Sequence, residues 1–236
     1  NLAKYNEWSN TNLIYDSTWF LDGVLSEFIH KAKNMRGFNN AVRSAEKGRA
    51  LGLGVLGWHS LLQSKGLAFD TKDSAKLNVE VFKSIKDKSY KASEEMAQKY
   101  GEPEYLVGYG RRNVTLNAVA PTTSSAFILG QVSQSIEPIW SNCYVKDVAK
   151  MKVTIMNPIL KKLLIELGKD TKATWNSIKK ADGSVQHLEF LTDEQKDVFR
   201  TFAEINQSSI INQAAIRQDF IDQSQSLNIM VSPDMP

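Results

Sequence analysis

One stretch limits the folds open to this chain more than any other: residues 111–145, RRNVTLNAVAPTTSSAFILGQVSQSIEPIWSNCYV. Val114, Leu116 and Val119 suggest a strand. Pro121 ends it, because proline has no backbone N–H and fixes its own φ. Four hydroxyl residues follow, Thr122, Thr123, Ser124 and Ser125, and a helix is expected to begin near Ser124. The first N–H groups of a helix lack an intrahelical acceptor and carry partial positive charge. Hydroxyls beside them add donors, so this order of elements suits a phosphate or carboxylate. A plain Ser/Thr helix cap is the other reading of the same residues. No lysine stands in the turn as in a P-loop, so a magnesium nucleoside triphosphate is not the expected ligand.

Around this stretch the pattern alternates between strand and helix. Residues 1–15 carry Leu2, Tyr5, Trp8, Leu13 and Tyr15 without a stable period and read as a loop that packs on something else. Asp16, Ser17 or Thr18 then caps a helix whose broad apolar face holds Trp19, Phe20, Val24, Leu25, Phe28 and Ile29. A second short helix follows Gly37, Asn39 and Asn40, and a helical turn over residues 60–65 ends at Gly66. The clearest helix starts near Thr71 or Asp73 and aligns Leu77, Val81, Ile85, Ala92 and Met96. Gly101 stands where a left-handed cap belongs, with Pro103 beyond. Residues 144–148 read as another strand. Pro158 opens a helix that Gly168 stops. Residues 168–191 are polar and read as irregular, with a turn at Asp182 and Gly183. A capping box over residues 192–195 opens one long helix through Val198, Phe199, Phe202, Ile205 and Ile210. The run 220–229 ends in a short strand. With no repeat, linker or low-complexity tract, the expectation is one helix-rich α/β domain.

Composition matters for what it removes. In 236 residues, 42% of them hydrophobic, there is enough apolar material for a substantial core. The formal charge is +3 and the Lys and Arg residues are scattered, which argues against a nucleic-acid partner. No apolar run approaches the roughly 20 residues of a membrane span, and no signal-peptide layout opens the chain. The single cysteine, Cys143, excludes an internal disulfide and fits a reducing, cytoplasmic setting.

Other candidates for chemistry are few. Gly52, Gly54 and Gly57 match G-x-G-x-x-G, but a dinucleotide site needs a buried strand before its glycines. Arg43-Ser44-Ala45-Glu46-Lys47 makes none, so close backbone packing is favoured over a dinucleotide. Arg111 and Arg112 could face an acidic ligand, but a solvated face or a salt-bridge partner is the favoured reading of two arginines at a loop edge. His30, His59 and His187 have no carboxylates at ligand spacing, so no metal site is expected. Cys143 reads as a small buried thiol. Glu137, before Pro138, stays open between a functional and a structural carboxylate.

Three segments share a resemblance: Ala120-Pro121-Thr122-Thr123-Ser124-Ser125-Ala126 with Ser135-Ile136-Glu137-Pro138; the run 49–57, RALGLGVLG; and the run 220–229, FIDQSQSLNI. In order and separation they resemble the large (catalytic) subunit of class I ribonucleotide reductases, most of all phage and bacterial members. The resemblance implies part of a ten-stranded α/β barrel, chiefly its C-terminal half, in an enzyme that reduces ribonucleoside diphosphates to deoxyribonucleoside diphosphates by radical chemistry. It assigns Pro121, Thr122, Thr123, Ser124 and Ser125 to the substrate diphosphate.

The same resemblance places every catalytic residue outside this chain. The thiyl-radical cysteine, the redox cysteines and the assisting Asn and Glu correspond to positions before Asn1. The radical-passing tyrosines and the C-terminal cysteine tail correspond to positions after Pro236. Neither end looks natural, so a segment of a longer polypeptide, inactive alone, is expected. The implied partners are the N-terminal part of the large subunit and a metal-containing small subunit that supplies the radical. Thioredoxin or glutaredoxin is the implied reductant, and ATP or dNTP effectors would bind the N-terminal part. The setting would be cytoplasmic, in the host cytoplasm if the gene is phage-borne. A non-catalytic phosphate-binding or subunit-interaction fragment is the alternative.

Overall fold

Three extended segments lie side by side, all parallel, and the helices pack around them. Leu53 pairs with Asn117 and Val119 pairs with Gln225. Leu51 N–H donates to the Thr115 carbonyl at 2.9 Å, Leu53 N–H to Leu116 at 2.7 Å, and Ala118 N–H to Leu53 at 3.1 Å. Parallel neighbours need a long crossover between them. Here the first crossover is helical, and the second carries most of the remaining elements.

The computed structural model describes residues 1–148 and 151–231. Among these, the first group of helices is α1 Tyr5–Trp8, α2 Leu13–Ala32, α3 Asn39–Gly48, α4 Trp58–Ser64 and α5 Lys72–Tyr100. The second group is α6 Thr123–Ile128, α7 Pro158–Glu166, α8 Lys172–Lys180, α9 Asp193–Val198 and α10 Gln207–Gln218. Strands β1 Cys143–Val148 and β2 Met151–Met156 form an antiparallel hairpin with Cys143 opposite Met156. Residues 149, 150 and the closing run 232–236 lie outside the described residues. No helix among the described residues is long and apolar enough to cross a membrane.

Among the described residues, two apolar clusters form the core. The larger joins Trp58 and Leu62 of α4, Val81 and Phe82 of α5, Val119 and Ile136. The smaller joins Cys143, Leu160, Leu164, Trp175, Ile178 and Phe199 under the hairpin. Buried amides join the two: Asn157 Nδ2 donates to Gln63 Oε1 at 3.0 Å and to Asn142 Oδ1 at 2.8 Å, and Asn142 Nδ2 donates to the Phe199 carbonyl at 2.8 Å.

Several local expectations hold because their partners are close in sequence. Thr71 caps α5 by accepting from Ser74 N–H, Asn157 caps α7, and the Thr192–Gln195 box caps α9. Asp182 and Gly183 both take positive φ, 52° and 88°. A Cβ on Gly183 would collide with the Ser141 side chain.

Others need correction. Residues 1–15 are not a loop: they form a 3-10 turn at Leu2–Lys4, then α1 and the start of α2, with Leu2 and Tyr5 buried in the larger cluster. Helix α2 begins at Leu13, ahead of the expected caps, and Thr18 is buried within it. Its expected apolar face is also partly wrong. Phe20 and Val24 are exposed, while Ile14, Thr18 and Asp22 face inward because Asp22 finds cationic partners there. Gly101 has φ 81° and ψ 163°, a positive φ but not the left-handed helical cap. Residues 168–191 are not all irregular. Thr171 accepts from Thr174 N–H and starts α8, which buries Trp175 and Ile178. The long helix expected from Thr192 is broken into α9, a 3-10 turn at Phe202–Glu204, and α10. A second capping box, Thr201 with Glu204, and the N-cap Asn206 restart the chain each time.

Candidate functional site

The hydroxyl quartet follows directly from the middle parallel segment, whose last paired residue is Val119. Pro121 is exposed, and α6 starts at Thr123, one residue before its expected start. The first backbone bond of this turn runs from Ala126 N–H to the Thr122 carbonyl at 2.8 Å. The N–H groups of residues 123–125 therefore precede the helical ladder. Thr122 does not make the capping bond that a plain Ser/Thr cap would. Its hydroxyl oxygen instead accepts from Ser135 N–H at 2.8 Å. Ser124 and Ser125 are exposed.

Behind the quartet is a side-chain chain that the sequence did not reveal. Thr123 Oγ1 donates to Gln134 Oε1 at 2.8 Å. Gln134 Nε2 donates to Glu137 Oε2 at 2.7 Å. Glu137 Oε1 accepts from Asn228 N–H at 2.9 Å and from Asn228 Nδ2 at 2.6 Å. Glu137 is thus a buried structural carboxylate in direct contact with the run 220–229. A carboxylate three residues after Gln134 was the only local signal for this arrangement, and nothing in spacing linked either to Asn228.

A second support comes from the start of α4. Gly57 N–H donates to the Ser133 carbonyl at 2.8 Å, and Trp58 N–H to Ser135 at 3.2 Å. Ser60 and Ser133 exchange bonds, each hydroxyl accepting from the other's N–H, at 2.8 and 3.1 Å. His59 Nδ1 accepts from Ile139 N–H at 3.0 Å. Its Nε2 faces the Val198 carbonyl without closing a hydrogen bond. Complete burial pushes the imidazole down to about 3, so His59 is neutral here.

The glycine run 52–57 has a packing role. A Cβ on Gly54 would lie 2.8 Å from the Ala118 carbonyl oxygen, inside any allowed contact. Gln223 Nε2 donates to the Leu51 carbonyl at 3.1 Å, so the run 220–229 also touches this segment. Asp222 Oδ2 accepts from Leu116 and Asn117 N–H at 2.7 and 2.9 Å. The landmarks read in sequence as separate motifs meet in one place.

Beside α6, a cavity of about 450 Å³ opens between the helix and the hairpin. Thr123, Phe127, Gln134, Trp140, Tyr144 and Lys146 are among its lining. Lys146 Nζ sits 4.1 Å from the Phe127 ring centroid, and burial raises the Tyr144 phenol. The two arginines at 111 and 112 are not at this site. Arg112 bonds Asp22 and the carbonyls of Tyr100 and Gly101, and Arg111 lies over the Tyr90 ring. Cys143 is buried, and burial raises its thiol.

The family described as "Ribonucleotide reductase, barrel domain" matches residues 17–106 and 104–236. The chain belongs to that family. Among relatives of the ribonucleotide reductases, the "Ribonucleoside-diphosphate reductase large subunit" of Invertebrate iridescent virus 6 is 39% identical over 240 residues, covering 100% of this chain and 25% of that protein. The protein of the same name from Invertebrate iridescent virus 3 is 40% identical over 238 residues, covering 99% and 38%. The solved "Actinobacillus ureae class Id ribonucleotide reductase alpha subunit" matches with a TM-score of 0.93 at 54% identity, over 100% of this chain and 44% of that one. The chain therefore spans less than half the length of each of these ribonucleotide reductase relatives. Its helices and parallel segments are part of the reductase barrel domain.

Proposed function

We propose that this chain, as one segment of the barrel domain, supplies the substrate-diphosphate cradle of a ribonucleoside-diphosphate reductase large subunit. The observation that carries the reading is the placement of the quartet. Exposed hydroxyls and backbone N–H groups ahead of a helical ladder stand at the end of a parallel segment, in a chain of this family. Ligands of open parallel sheets sit beyond the carboxyl ends of their strands, and the quartet has that position.

The chemistry would be divided between this chain and the rest of the enzyme. Thr122, Ser124 and Ser125 hold phosphate oxygens and so fix the ribose relative to a radical formed elsewhere. Reduction at the ribose needs a thiyl radical and a pair of thiols, and the one cysteine here, Cys143, is buried in β1. Those thiols come from the remainder of the large subunit, and the radical from a metal-containing small subunit. Thioredoxin or glutaredoxin restores the thiols, and nucleotide effectors act through the N-terminal part.

The test uses the full-length large subunit with its radical-bearing partner and steady-state reduction of a ribonucleoside diphosphate. Removing a hydroxyl that bonds a charged group costs about 1.5–3 kcal/mol. Ser124→Ala with Ser125→Ala should therefore raise KM at least about tenfold with kcat nearly unchanged. An unaltered KM in that pair, with inhibition by inorganic pyrophosphate also unaltered, would overturn the cradle.

A further inference from the structure

The four hydroxyls are not equivalent, and a buried carboxylate decides which of them are free to donate. Glu137 takes three donors: Asn228 N–H, Asn228 Nδ2 and Gln134 Nε2. A carboxylate accepts and does not donate. The Gln134 amide must therefore turn its Nε2 toward Glu137, because the flipped amide would set an oxygen 2.7 Å from a carboxylate oxygen. That orientation presents Oε1 to Thr123, and an amide oxygen accepts only. Thr123 then has to donate its single hydroxyl proton to Gln134, at 2.8 Å. What Thr123 shows to solvent is lone pairs, the wrong polarity for a phosphate oxygen.

Thr122 is in the opposite state. Its oxygen accepts from Ser135 N–H, which leaves its proton free to point outward. Ser124 and Ser125 are exposed and hold their own protons. The same chain of bonds also closes a ring. Asn228 lies three residues beyond Gln225, which pairs with Val119, and Val119 leads back to Thr123.

We infer that Gln134 and Glu137 are positioning residues that commit the Thr123 hydroxyl to the protein, so that a substrate diphosphate is met by Thr122, Ser124, Ser125 and the backbone ahead of α6, and not by the Thr123 hydroxyl. This inference rests on the diphosphate reading of the site. Gln134 and Glu137 act through Thr123 and α6 and touch no reacting atom.

The experiment is a double-mutant cycle in the full-length large subunit with its small subunit, reading KM and kcat for a ribonucleoside diphosphate and the melting temperature of each variant. Thr123 is exposed and Gln134 half-buried, so neither substitution empties the core. Thr123→Val should raise KM about threefold by loosening the start of α6, as loss of one neutral hydrogen bond does, and Gln134→Leu, which also removes a donor from Glu137, should raise it at least as much. The double variant should be no worse than the larger single effect, because both cut the same chain. Across the set kcat should stay within about twofold. Thr123→Ser, which keeps the hydroxyl, should restore KM.

Three results would overturn the inference. One is a tenfold or larger rise in KM for Thr123→Val while Gln134→Leu leaves KM unchanged or lower, which makes Thr123 a direct phosphate donor. Another is full additivity in the double variant. The third is no KM effect from either single substitution, whatever kcat does. Failure of the underlying site looks different: Ser124→Ala with Ser125→Ala would then alter neither KM nor inhibition by inorganic pyrophosphate.

Discussion

Two carboxylates in this molecule are equally buried, Asp22 and Glu137, each 4% exposed, and they are satisfied in opposite ways. Asp22 meets cations. Arg49 Nε and Nη2 reach its two oxygens at 2.9 Å each, Arg112 Nε reaches it at 3.2 Å, and Asn113 Nδ2 at 2.9 Å. Burial alone would raise the Asp22 carboxyl. Hydrogen bonds from Arg49 and Asn113, with the charges of both arginines, outweigh that and hold it below the usual carboxylate range. Among the described residues, Glu137 meets only the uncharged groups of Gln134 and Asn228. An ion cluster of the first kind clamps α2 to the end of α3 and to the segment after α5. A network of the second kind, one carboxylate held by uncharged donors, contributes less force and more direction, because each amide has one donor end and one acceptor end. The clamp stands away from the hydroxyl quartet and the directional network stands behind it.

Breaking the clamp should give the largest effect. Asp22→Ala leaves Arg49, 7% exposed, without its counter-charge. Loss of one partner of a buried pair costs about 3–5 kcal/mol. Urea unfolding should show a drop of that size, and a change under about 1 kcal/mol would mean that the clamp carries little.

Gly54 sets how closely the first two parallel segments approach. Gly54→Ala drives a methyl into the Ala118 carbonyl and should destabilise by about 1–3 kcal/mol. If the segments separate, the Leu53 and Ala118 amides should lose hydrogen-exchange protection together, whereas the Asp22 clamp should keep its own.

Acid should separate the two regions. His59 anchors Ile139, two residues beyond Glu137, and is neutral when folded, with its imidazole at about 3. Unfolded, it takes a proton below about 6.5. The unfolded state binds the extra proton between those limits, so stability is full above about 6.5 and falls as pH drops toward 3. The slope is about 1.4 kcal/mol per pH unit, or about 2 kcal/mol from pH 6.5 to 5. The Asp22 contribution has a lower window: it is present above the ordinary carboxylate range and is lost only below it. Unfolding free energies of the chain and of His59→Asn between pH 6.5 and 5 check this, since the variant should lose the slope.

The smallest effect sharpens the contrast. Glu137→Gln keeps the shape and leaves Gln134 free to turn over, so it should cost about 1 kcal/mol, less than Asp22→Asn in the same assay. An equal loss at both positions would erase the distinction between clamp and relay.

How much of this was legible in the sequence depended on how far each partner lies along the chain. The caps at Thr71, Asn157 and Thr192 were readable because the group that completes each is two or three residues away. Helix α8 was missed although Thr171 and Thr174 carry the same kind of signal, since only Trp175 and Ile178 mark its buried face. The long helix expected after Thr192 failed because Thr201 and Asn206 offer better local caps than continuation does. The inward face of α2 could not be read at all: Asp22 looks like a solvent residue until Arg49 and Arg112 are beside it.

For the site, the sequence alone raised the expectation of an anion beside that of a plain helix cap. A proline turn and four hydroxyls ahead of a helix were enough to expect an anion, because backbone donors at a helix start are a local property. Family membership, too, was legible in the three motifs. Only the tertiary structure decided which hydroxyls are free. Glu137 and Asn228 are 91 residues apart, and Thr123 and Gln134 are 11 apart across a turn. Their hydrogen-bond polarity follows from contacts that exist only once the chain has folded, since a hydroxyl has one proton and its direction is set by whichever acceptor is brought within reach.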